Sequence, residues 1–109
     1  YMKPEEVANK PALLVSVASG KSWTYPIAQL RMSSCKNTQI CYIPQHVIIR
    51  EVNNVLNTMQ VDETKDTKND LYIKNRITYS LLMLEQYSKA LQLVRKSNVM
   101  DLENYKNGM

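Results

Sequence analysis

A chain of 109 residues, 44% of them hydrophobic, fits one domain that can bury a core without a metal or a disulfide, and it is too apolar for wholesale disorder. No apolar run approaches the roughly 20 residues that cross a bilayer; the longest strongly apolar stretch is 81–84. The net charge of +4 belongs to the first half, because residues 7–50 hold five basic side chains and no acid while 51–109 holds eight of each. A field of one sign selects for partners of the other sign without naming them.

Residues 1–11 read as an extended lead-in to a single domain spanning 1–109, since Pro4 and Pro11 hold the residues before them in extended conformations. Tyr1 precedes Met2, so the start is compatible with a tag remnant, a mature terminus or a cut from a longer chain. The cytoplasm is slightly favoured as the compartment, and a secreted or periplasmic setting stays open. Residues 12–18 (ALLVSVA) form the best strand candidate, short, β-branched and uncharged. Ser19-Gly20-Lys21 reads as a hairpin turn. A second strand is expected over 22–32, with Trp23, Tyr25, Ile27, Gln29 and Arg31 on one face; Pro26 makes it an edge, a bulge or a break. Residues 33–37 are turn-like, and 38–43 (TQICYI) completes the sheet.

Helices are expected from Pro44 onward. Ile48, Val52, Val55 and Met59 recur at helical spacing and predict a helix over 46–60. A charged loop follows, and Asn69 or Asp70 can cap a second helix over 70–96. Ile73, Ile77, Leu81, Leu84, Tyr87, Leu91 and Val94 give that helix the strongest periodic signal in the chain. Ile48, Val52, Leu81, Leu84 and Leu91 are expected to be buried. Residues 97–109 read as a short extra turn or a frayed tail. The expected fold is therefore α+β: an antiparallel sheet of about three strands over 12–43, then a two-helix hairpin.

Three readings of the chemistry follow. Lys21, Trp23, Tyr25, Arg31, Lys36 and His46 are the candidate anion-binding set. Bases stack on aromatic rings while Lys and Arg hold phosphates, so a sheet bearing both is a platform for single-stranded nucleic acid or another polyanion. The competing reading of Trp23 is a core anchor, and that of the lysines an ordinary solvated face. His46 is expected in the first turn of a helix, where free N–H groups attract anions. The second reading is a protein-interaction module acting through the long helix. Tyr72, Tyr79, Leu82, Met83 and Leu93 widen its apolar face beyond one core stripe, toward a homodimer or a partner protein. The third is a secreted or periplasmic accessory protein with Cys35 and Cys41 bonded, which requires residues 36–39 to turn.

Catalysis has little to draw on: no acid between 7 and 50, one histidine, and no nucleophile–base spacing. No cofactor is implied. A metal site lacks the CxxC spacing and a second histidine. The run Ala18-Ser19-Gly20-Lys21-Ser22 ends like a phosphate-binding loop. Its leading glycine is replaced by Val15, and the segment after it does not read as a helix.

Overall fold

The computed structural model describes residues 2–21 and 25–107. In chain order it contains α1 (Pro4–Val7), β1 (Pro11–Val17), α2 (Tyr25–Thr38), β2 (Cys41–Ile49), a 3-10 turn at Val52–Asn54, and α3 (Lys68–Lys96). The two strands pair in parallel, Pro11 opposite Cys41 and Val17 opposite Ile49. A parallel pair needs a crossover between its strands, and α2 supplies it. The three-stranded antiparallel sheet followed by a helical hairpin is therefore overturned, in sheet direction, in strand number and in helix placement.

Each correction has a local cause. Residues 25–38 (YPIAQLRMSSCKNT) form a helix and not the second strand. Pro26 stands in the helix's first turn, where a missing N–H leaves no hydrogen bond broken. Ala28, Gln29, Leu30, Arg31 and Met32 behind it are an uninterrupted run of good helix formers. Ser33, Ser34 and Thr38 turn their hydroxyls back onto the carbonyls of Gln29, Leu30 and Ser34 (2.8, 2.5 and 2.6 Å). The run 19–21 is consequently no hairpin turn, and Gly20 does not adopt a positive φ. It leads out of β1 toward the crossover helix.

The third strand lies later than expected, at Cys41–Ile49, and replaces the start of the helix expected over 46–60. Pro44 falls in a bulge. Between the pairs Ala12–Tyr42 and Leu14–His46, β1 advances two residues while β2 advances four. A bulge is one of the few places where a strand tolerates a proline. Arg31 of α2 reaches that bulge and donates from Nη2 to the carbonyls of Ile43 (2.8 Å) and Pro44 (3.2 Å).

Val47, Ile49, Val55 and Ile73 form the buried cluster, with Val52, Leu56 and Ile77 packed against it. The apolar residues after Ile49 thus reach the core from an irregular segment. Of the five side chains expected to be buried, Ile48, Val52, Leu84 and Leu91 are half-buried and Leu81 is exposed.

The long helix was legible within two residues of its start. Its cap is Thr67, whose hydroxyl accepts from the Asp70 N–H (3.2 Å), and not Asn69 or Asp70. At 29 residues it runs about 43 Å at 1.5 Å per residue, most of the 54 Å length of the molecule. The first end of the chain departs from expectation, and the last holds a short extra turn, in which the Tyr105 N–H donates to the Asp101 carbonyl (3.1 Å). Pro4–Val7 is a helical turn within the supposed extended lead-in. The tail beyond Ser97 folds back: the Tyr105 carbonyl accepts from Gln39 Nε2 (2.5 Å), and Met100 Sδ accepts from Asn9 Nδ2 (3.3 Å).

Candidate functional site

The sequence-derived anion set is dispersed by the fold. Lys21 is exposed in the turn after β1; Tyr25 opens α2 and is 81% exposed; Lys36 lies in the last turn of that helix. Within the 14-residue α2, Tyr25 and Lys36 lie about 16 Å apart along the axis at 1.5 Å per residue. Arg31 is occupied with the β2 bulge. Trp23 lies outside the described residues. His46 does line a concave site, and it does so from a strand and not from the first turn of a helix.

That site is a groove of about 330 Å³ lined by His46, Ile48 and Arg50 of β2 and its exit, and by Asn69, Tyr72, Ile73 and Arg76 of α3. Among the described residues no carboxylate lines it. β2 has β1 on one side and no further strand on the other among the described residues, which leaves a hollow between its free edge and the helix. Arg76 crosses the hollow: its Nε and Nη2 donate to the His46 carbonyl (3.4 and 3.3 Å). Its guanidinium also lies 5.9 Å from the centroid of the Tyr79 ring. These contacts restrain a long, flexible cation. His46 Nδ1 is buried without a hydrogen-bond partner, and Arg50 is exposed at the strand's end.

Sequence reasoning missed Arg50 as a site residue although it closes the acid-free stretch one position after the β-branched run 47–49. It missed Arg76 because that residue falls in the charge-balanced half. The recoverable signal was spacing, since Tyr72, Arg76 and Tyr79 step by four and three and so share a helix face.

The start of α3, which supplies the groove's far wall, is fixed by a buried ion network. Lys74 Nζ contacts Asp66 Oδ2 (2.8 Å), Asp70 Oδ2 (3.3 Å), Thr58 Oγ1 (3.0 Å) and the Gln60 carbonyl (2.9 Å). Asp70 Oδ1 accepts from the N–H of Leu56 (2.8 Å), a residue held at φ 58°. The hydrogen bond to Asp66, then that to Asp70, raises Lys74 above the ordinary lysine range despite burial. The Asp62 N–H, then Lys74, holds Asp66 below the ordinary carboxylate range. These charges are committed to one another. Among the described residues no group of three His, Cys, Asp or Glu side chains is placed to hold a metal ion.

Cys35, late in α2, and Cys41, at the start of β2, are half-buried free thiols joined by the turn through Gln39, which has φ 54°. Burial, and secondarily the neighbouring Cys35, pushes the Cys41 thiol up. The phosphate-loop resemblance gains one element and still lacks another. A helix does follow β1, beginning at Tyr25, but Val15 stands in the strand where the leading glycine belongs.

On the second expected surface, Tyr72, Tyr79, Leu82 and Leu93 are exposed along α3 and Met83 is half-buried. Among the described residues no helix is long and apolar enough to cross a membrane. No family model matches the chain, and no curated protein and no solved structure matches it significantly.

Proposed function

We propose that this chain is a non-enzymatic accessory module that binds nucleic acid or another polyanion in the groove between β2 and the first half of α3. One observation supports the reading most directly: His46, Arg50 and Arg76 converge on one groove that, among the described residues, no carboxylate lines. Two other cations of α3 are paired with carboxylates, Lys74 with Asp66 and Asp70 and Lys89 with Glu85. An anion entering the groove meets donors already held in place by the Arg76–His46 bonds, so less ordering is required on binding. Lys21 strengthens the same end of the molecule, since the Gly20 carbonyl before it accepts from the Glu51 N–H (3.2 Å), one residue beyond Arg50.

Salt titration of binding to a short nucleic-acid strand tests this. Affinity should fall steeply with salt, and Arg50→Gln and Arg76→Gln should each flatten the slope by about 0.7 per lost phosphate contact on a single strand. An unchanged slope in the double variant rejects the groove.

A second reading is favoured by a separate observation. Tyr72, Tyr79 and Leu93 stand at multiples of seven residues and are exposed, the spacing by which one helix docks on another. On that reading α3 joins a partner protein or a second copy. Sedimentation that returns a monomer at high concentration removes the homodimer.

A further inference from the structure

We infer that the groove takes single-stranded nucleic acid, with Tyr72 and Tyr79 stacking on bases and Arg50 and Arg76 holding the phosphates between them. This rests on the groove being an anion site, and it narrows which polyanion the groove accepts.

Three observations point the same way. First, cation and ring alternate along one helix face. Tyr72 lines the groove, Arg76 lies one turn on, and Tyr79 lies about 10.5 Å beyond Tyr72 along the axis at 1.5 Å per residue. Second, both rings are accessible: Tyr72 is 64% exposed, and Tyr79, just outside the groove lining, is 48% exposed with the Arg76 guanidinium over one face. Large aromatic side chains left in water beside restrained arginines are what a base needs, because every base has a stacking face and every nucleotide brings a phosphate. Third, the opposite wall presents Arg50 and His46 from a strand edge, so a chain lying along α3 is flanked by donors on one side and rings on the other.

A duplex fits this arrangement poorly. Its bases are already stacked on one another and offer the tyrosines no face without unpairing. A bare polyphosphate or an acidic peptide would use the arginines and gain nothing from the rings. Stacking accepts any base, and Arg50 and Arg76 are assigned here to phosphates, so recognition should tolerate sequence.

The test measures anisotropy of labelled oligothymidine on the full chain, with competition by a duplex of equal length, inorganic polyphosphate and polyglutamate. Tyr72→Leu and Tyr79→Leu should each weaken oligothymidine binding by about 5- to 150-fold, the loss expected for one stacked base. Both should leave polyphosphate competition unchanged. Tyr72→Phe and Tyr79→Phe keep the ring and should bind like the parent, which also covers the case in which a leucine variant fails to fold. Arg50→Gln and Arg76→Gln should weaken both ligands. If the leucine variants bind oligothymidine like the parent, or the duplex competes better than the single strand, stacking is wrong while the anion groove stands. If neither oligothymidine nor polyphosphate binds the parent chain, both readings fall together. Phenylalanine variants that lose binding, or leucine variants that alter the sedimenting mass, overturn the stacking role and assign this face to protein contact.

Discussion

The two halves of α3 share one continuous helix and differ in everything that packing decides. From Lys68 to Ser80 the helix buries Asp70, Ile73, Lys74 and Ser80; from Leu81 to Lys96 it buries no residue fully. The apolar spacing is as regular in the second half as in the first. What differs is the covering. The first half meets the Val47–Ile49–Val55 cluster and the loop tied down by Lys74, so its apolar and charged residues are both enclosed. The second half lies beyond that cluster, and its end is held where Arg95 Nη1 donates to the Asn9 carbonyl (2.9 Å). A helical stripe states which face seeks burial; the area of sheet beneath it decides how much is buried.

That contrast predicts unequal responses to substitution. Ile73→Ala should lower stability by about 2–5 kcal/mol in urea unfolding, through lost burial and a cavity in the central cluster. A loss under about half a kcal/mol would mean that the first half is no better packed than the second.

The ion network should break next, and at both ends of the pH scale. Asp66 is depressed when folded, so its contribution is present above the ordinary carboxylate value of 3.8 and fades as pH falls below it. Lys74 is raised when folded, so its contribution is complete below the ordinary 10.5 and fades as pH rises beyond it. Hydrogen exchange of the Asp62 amide, which donates to Asp66, should therefore accelerate toward acid relative to its intrinsic rate. Lys74→Met should produce the same acceleration at neutral pH, because it leaves buried carboxylates without their cation. Exchange rates that match the parent's would show that the loop is held by something else.

Ser80 makes a subtler test. It is fully buried, and its hydroxyl has no hydrogen-bond partner. Ser80→Ala should be neutral or stabilising by up to about 1 kcal/mol, since an unsatisfied polar group leaves the interior. A clear loss of melting temperature would reveal a hydrogen bond. Smallest of all should be Leu93→Ala, within about half a kcal/mol at a 75% exposed site. A larger loss that grows with protein concentration would place a second copy on the distal half of the helix.

The sequence by itself determined α3, because a long run of 3.6-residue periodicity with a positive last turn needs no partner to be recognised. It also determined β1 and the placement of the net charge. The rest was decided between distant segments. Ile48, Val52, Val55 and Met59 have helical spacing, yet the chain there is a strand, a three-residue 3-10 turn and a loop. Residues 41–49 bond to 11–17, and a partner some 30 positions away leaves no mark on local periodicity. Pro26 and Pro44 carried correct information about missing donors, but the same absent N–H suits a helix's first turn and a strand's bulge. Only the crossover settled which applied to each. The groove was hidden for the same reason. His46 and Arg76 are 30 residues apart, and what sets them side by side is a parallel sheet of two strands that leaves the edge of β2 to α3.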